Sequence, residues 1–199
     1  MWMWKDRKFL SPRARFQTGR QRFDSKSDFF NDLAMSQSKT YSTKNDLSAD
    51  LRGKMIHLLN VRLADSIDLQ TQCKQAHWNV KGPDFIALHE LFDKVNEDVE
   101  EYVDLLAERA VQLGGTAEGT IQAVIKSTSL KEYGAKDGSG HEHVQALSIA
   151  LAAYGKLVRE AIDSTDKAGD KDTADIFTEI SRGTDKWLWF VEAHLQAER

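Results

Sequence analysis

With 199 residues, 41% of them hydrophobic and 29% charged, the chain has the composition of a globular protein large enough for one real core. Its single cysteine, Cys73, excludes an intrachain disulfide scaffold and favours a reducing, cytoplasmic compartment, and no apolar run approaches the roughly 18 residues of a membrane span. The net charge of −4 is uneven: residues 1–34 hold eight Lys/Arg against four Asp, which leaves −8 on the remainder, so the body suits cations and the tail a polyanion.

Residues 1–34 show no sustained helical or alternating period and lack the apolar stretch of a secretory signal. They read as a flexible basic tail or as sequence upstream of a start at Met35, with a nucleic-acid-binding arm as the sharper alternative. Residues 35–46 are polar and expected to be loose, so a basic and polar extension is assigned to 1–46 and a folded domain to 47–197. Asp46 or Ser48 can cap a first helix, in which Leu51, Met55, Leu58, Leu59, Leu63 and Ile67 recur at helical spacing toward Ala76. Lys81-Gly82-Pro83 ends it, and Asp84 can cap the second.

The second helix carries an apolar stripe of Leu88, Phe92, Val95, Val99, Tyr102, Leu106, Ala110 and Leu113 and stops at Gly114-Gly115. A short helix is expected over Thr120–Ser127, followed by a glycine-rich loop over 133–140. Val144, Leu147, Leu151, Tyr154, Val158 and Ala161 mark a third long helix ending near Gly169. Ile176, Ile180, Trp187, Val191 and Leu195 mark a fourth. No strand or hairpin signal interrupts them. The expected architecture is all-α: a four-helix bundle with one long crossover connection, about 25 residues, that carries the short helix.

A second stripe runs along the second helix, rotated about 100° from the core. It reads His89, Asp93, Glu97, Glu100, Asp104, Glu108, with no Lys or Arg on the line. A solvated face usually interleaves signs. On spacing alone the stripe is either an acidic face in water or an edge whose countercharge is a metal such as divalent iron, manganese or zinc. His89 and Glu108 are 19 residues apart, about 28 Å along the axis, and cannot share an ion within one chain. An antiparallel two-fold partner would set Asp104 and Glu108 of one helix against His89 and Asp93 of the other, twice per dimer. His77, across the turn, can reach the same place. The Glu-x-x-His repeat of an intrachain di-iron bundle is missing.

At these residues the sequence resembles the Dps family, the DNA-protection-during-starvation mini-ferritins. "HWNVKGPDFIALHELFD", "DLLAERAVQLGG" and "DTADIFTEISRGTDKWLWFVEAHL" carry the resemblance, which runs from about Ser38 to Leu195. It implies a ferritin-like fold, a hollow homododecamer, and a two-iron ferroxidase site at each two-fold interface. His77, His89 and Asp93 would come from one subunit and Asp104 and Glu108 from the other, with Glu108 bridging. Trp78, beside a ligand, is either a packing aromatic or an absorber of stray oxidising equivalents. The implied activity is oxidation of Fe²⁺ to Fe³⁺, preferably by hydrogen peroxide, with storage of ferric mineral and protection of DNA.

In that family acidic residues near the last helix corner line iron-admitting pores, which makes Asp166, Asp170, Asp172 and Asp175 candidates; capping is the competing role for Asp170 and Asp172. His141 and His143 in "GHEHV" lie two apart on a helix and face different directions. His57 and His194 lack neighbouring ligands. Trp187, Trp189 and Phe190 are expected in core and interface packing. The alternative function is a non-enzymatic, DNA-compacting nucleoid protein using the basic extension.

Overall fold

A computed structural model describes residues 40–135 and 138–196; the basic segment 1–34 and its expected roles lie outside the described residues. Five helices follow one another: α1 (Ala49–Asn79), α2 (Phe85–Gln112), α3 (Ile121–Ser127), α4 (Gly140–Ala168) and α5 (Lys171–Glu192). The four long ones form two antiparallel pairs, α1 on α2 and α4 on α5, which pack together through α1–α4 and α2–α5. The short α3 rides in the α2–α4 crossover and lies against α1. The all-α bundle with one crossover is thus as the periodicities require, and among the described residues extended pairing is confined to one isolated bridge, Lys81–Ser139.

The eight apolar residues of the α2 stripe are all buried, as are the six of α4. Burying such side chains contributes about 1.5–3 kcal/mol each, and the spacing of 3.6 residues per turn is what lets one helix face collect them. The core also takes Leu69, Cys73 and Phe177, each fully buried, which the sequence reading left unassigned. Of the three aromatics near the end of α5, Trp187 is buried, whereas Trp189 and Phe190 are exposed on the single chain.

Caps decide the ends. Ser48, not Asp46, caps α1 by accepting from the Leu51 amide. Asp84 stands at the α2 N-cap without a side-chain bond to it. Helix α4 begins at Gly140, earlier than its apolar period, because the Ser139 hydroxyl accepts from the Glu142 amide. The Ser-x-x-Glu spacing of a capping box was present in the sequence. Gly114 adopts φ +90°, and a Cβ there would sit 2.6 Å from the Tyr41 carbonyl; the Tyr41 amide in turn donates to the Gly114 carbonyl at 2.7 Å. The segment before α1, expected to be loose, is therefore held to the end of α2, and Arg52 ties it further by donating to the Leu47 carbonyl at 2.6 Å.

Helix α1 carries a polar seam for the crossover. Asn60 donates to the Thr116 carbonyl and accepts from the Glu118 amide. Asp65, fully buried beside Arg62, accepts from the Ser129 amide at 2.6 Å. Asp68 accepts from the Thr128 hydroxyl, and Gln72 donates to the Lys131 carbonyl. Residues 65, 68 and 72 share one face at helical spacing, with Asn60 beside it toward the start of the helix. A backbone without its own ladder thereby meets its hydrogen-bonding requirement.

Candidate metal centre

The α1–α2 turn brings His77 and His89 face to face. The ring centroids are 3.7 Å apart and the planes inclined by 21°. Each Nδ1 lies 2.8 Å from the backbone carbonyl of the other residue. A carbonyl oxygen can only accept, so each Nδ1 carries a proton and Nε2 is left as the ring position at which a ligand could bind. This is the orientation device that ligating imidazoles use, built here from the two ends of one turn.

Asp93, one turn along α2, joins them. Its Oδ1 is 3.8 Å from His77 Nδ1 and 2.6 Å from Lys74 Nζ. The Lys74 ammonium, aided by the two imidazoles, holds the Asp93 carboxyl below the usual carboxylate range, so it is ready in its anionic, metal-binding form. This corrects one element of the sequence reading. Although no cation lies on the α2 stripe itself, α1 supplies one at its His89–Asp93 end. Lys74 sits three residues before His77, the same-face spacing that could have revealed it.

Asp104 and Glu108 are exposed farther along α2. Asp93 and Glu108 are 15 residues apart, about 22 Å of helix rise. The chain by itself brings His77, His89 and Asp93 together and leaves Asp104 and Glu108 remote. Among the described residues, no three His, Cys, Asp or Glu side chains form a complete cation cage within it. Trp78 is 68% exposed, with Lys74 Nζ 5.9 Å from its ring centroid, so it is no core residue of the chain.

The acidic corner between α4 and α5 divides into two roles. Asp170 is buried; it caps α5 by accepting from the Thr173 amide at 3.1 Å, and accepts from Arg109 at 2.8 Å. Arg109 also donates Nε–H to the Thr173 hydroxyl at 2.9 Å. Asp170 is thus bound up inside the bundle and cannot line a pore, the capping role having won. Asp166 pairs with Lys171, while Asp172 and Asp175 are exposed. His141 is exposed and His143 buried, as their two-residue spacing requires, and His57 and His194 are exposed.

A bundle of four long helices with a crossover, carrying imidazole and carboxylate groups at a helix-pair edge, is the ferritin-like class, and the ferritin-like domain family matches residues 56–199. A DNA protection during starvation protein of Agrobacterium fabrum is 50% identical over 79% of this chain and 98% of its own length. A protein of the same name from Brevibacillus brevis is 34% identical over 70% of this chain and 93% of its own. Among solved structures, DpsA14 from Streptomyces coelicolor superposes with a TM-score of 0.76 at 31% identity, covering 80% of this chain and 95% of that one. Mycobacterium smegmatis Dps in a tetragonal form gives 0.75 at 30% identity, covering 79% and 96%. The chain belongs to the Dps family of ferritin-like proteins.

Proposed function

We propose that the protein is a ferroxidase and iron-storage protein that assembles as a hollow dodecamer, oxidising Fe²⁺ at sites shared by two-fold-related subunits. The observation that carries this reading is the reciprocal His77–His89 clasp beside Asp93. With each Nδ1 spent on a carbonyl, it leaves Nε2 of both rings for a ligand beside one carboxylate, and Asp104 and Glu108 are exposed carboxylates at the other end of the same helix. An antiparallel partner completes two equal sites, each with His77, His89 and Asp93 from one subunit and Asp104 and Glu108 from the other. Glu108 would be the central carboxylate of each site.

The chemistry follows from holding iron in pairs. Two Fe²⁺ give one electron each to hydrogen peroxide, the O–O bond breaks, and two protons complete two waters, leaving two Fe³⁺. No hydroxyl radical is released, because both electrons arrive at one site. Carboxylates hold the harder Fe³⁺ more tightly than Fe²⁺, which drives the product toward mineral in the cavity. Removing free Fe²⁺ and peroxide together protects DNA in the cytoplasm. The basic segment 1–34, repeated on every subunit, adds non-specific DNA attraction and nucleoid association. Among the described residues no helix is long and apolar enough to cross a membrane.

Iron loading under peroxide decides the matter. The wild type is expected to oxidise many Fe²⁺ per particle and keep the ferric product soluble. Glu108→Ala should lose rapid oxidation with particle mass unchanged. A monomeric wild type, or a Glu108→Ala particle that oxidises iron at the full rate, would overturn the proposal.

A further inference from the structure

A second redox group stands close to the metal edge. Tyr133, in the crossover, shares a 2.5 Å hydrogen bond with Nδ1 of the buried His143, and the two rings lie nearly parallel at 5.9 Å. Tyr133 also lines a cavity of about 510 Å³ whose wall includes Trp78, Lys74, Gln72 and Asn96. Lys74 is the residue that pairs with Asp93, so this cavity adjoins the candidate iron edge. Asn96 is buried, and its Oδ1 has no hydrogen-bond partner among the described residues.

The environment of Tyr133 differs from that of Tyr154. The hydroxyl of fully buried Tyr154 meets the hydroxyl of Ser66 at 2.6 Å, and a serine hydroxyl is a poor proton acceptor. Tyr133 meets an imidazole nitrogen, whose lone pair is a better proton acceptor. Burial drives the Tyr133 phenol pKa upward, so the group keeps its proton until something removes an electron. A phenol gives up an electron readily only if its proton has somewhere to go in the same step. A short bond to an imidazole nitrogen provides that path.

We infer that Tyr133, with His143 as its proton acceptor, is a one-electron sink for radicals that escape the paired-iron reaction. The inference rests on the ferroxidase reading for its source of oxidant. A site holding one Fe²⁺ instead of two converts peroxide to hydroxide and hydroxyl radical, leaving Fe³⁺. The radical takes an electron from Tyr133, directly or through Trp78 on the shared cavity wall, and becomes hydroxide. The phenolic proton moves to His143 Nδ1, giving a neutral phenoxyl radical and an imidazolium. A second Fe²⁺ then returns an electron to the phenoxyl as the imidazolium returns the proton. The sum is two Fe²⁺ and one peroxide giving two Fe³⁺ and two hydroxides. The stray one-electron event is thereby brought back to the stoichiometry of the two-electron reaction.

Freeze-quenched electron paramagnetic resonance tests this on the full-length assembly given Fe²⁺ and then peroxide. Protein grown with ring-deuterated tyrosine identifies the signal, and iron oxidation and spin-trapped hydroxyl radical are read on the same samples. The wild type should show a phenoxyl signal whose width narrows in D₂O, because the proton shared with His143 exchanges. Tyr133→Phe, which keeps the ring, should lose that signal and release more hydroxyl radical while oxidising iron at the wild-type rate. A parallel arm generates the oxidant photochemically with a ruthenium complex and persulfate, without iron. If iron is not oxidised by the wild type, the ferroxidase reading fails and the photochemical arm still decides the tyrosine. A signal that persists in Tyr133→Phe, or a wild type with no tyrosine signal in the photochemical arm, overturns the assignment. A signal that does not narrow in D₂O removes His143 from it.

Discussion

Lys74 Nζ and Asp93 Oδ1 are 2.6 Å apart, so the ammonium of α1 occupies a carboxylate that the proposed iron site needs. On the proposed ferroxidase reading, iron arriving at His77 and His89 must displace this cation or share Asp93 with it. Lys74→Gln should therefore tighten Fe²⁺ binding. For a half-exposed pair worth about 0.5–1 kcal/mol, the gain is about two- to fivefold. Anaerobic titration calorimetry reads it, and an unchanged or weaker affinity would show that Lys74 does not compete. The acid side follows from linkage. Because Asp93 is depressed in the folded chain, its contribution to stability is full above the ordinary Asp value of about 4 and is lost as pH falls through the depressed value. Lys74→Gln should flatten that part of the stability–pH curve.

Arg109 is the buried clamp between the end of α2 and the α4–α5 corner, through Asp170 and Thr173. Arg109→Ala leaves the Asp170 carboxylate buried without its partner, which costs about 3–5 kcal/mol. Arg109→Lys keeps the charge but loses the fork that reaches both groups, so it should fall between. Guanidinium unfolding of the variants measures both. Near-equal stability of all three proteins would mean that the corner relaxes and water solvates Asp170.

Cys73 is fully buried, and burial pushes its thiol up to about 12. A protonated, inaccessible thiol is neither a nucleophile nor a metal ligand. A colourless disulfide reagent that releases a coloured thiolate should find no reactive thiol in the native protein at neutral pH and one per chain in guanidinium. Rapid native reaction would show that α1 opens locally at this position.

The charge of residues 1–34 makes a separate prediction. The 199-residue chain should retard plasmid DNA in a gel, and a chain beginning at Met35 should not, since the remainder carries −8. Retardation should fade steeply with added salt, because counterion release drives it. Equal retardation by both chains would place DNA binding on the folded body, and none at low salt by either would remove it.

Much of the bundle was legible before any coordinates. The α2 stripe from Leu88 to Leu113 and the α4 stripe from Val144 to Ala161 are buried to the last residue, because a helical period leaves a long apolar face only one way to leave water. Leu69 and Cys73 continue the α1 period, 14 and 18 residues after Met55, and Phe177 lies three before Ile180; they escaped notice because the α1 stripe was followed only to Ile67 and the α5 stripe through Ile176. Lys74 escaped because the acidic stripe was scanned along α2 alone, whereas Lys74 reaches Asp93 from the His77 face of α1. Asp170 was offered as a pore residue from its acidic neighbourhood; the guanidinium that buries it comes from position 109, 61 residues away.

The sequence by itself determined the helices, their apolar faces, and the identity of the histidines and carboxylates on the α2 edge, since each depends on spacings of a few residues along one helix. The tertiary structure decided how those groups are dressed. It stacked His77 on His89 with each Nδ1 spent on a carbonyl, gave Asp93 to Lys74, and locked Asp170 to Arg109. Those outcomes depend on which distant backbone a side chain meets, and only the packing of one helix against another sets that.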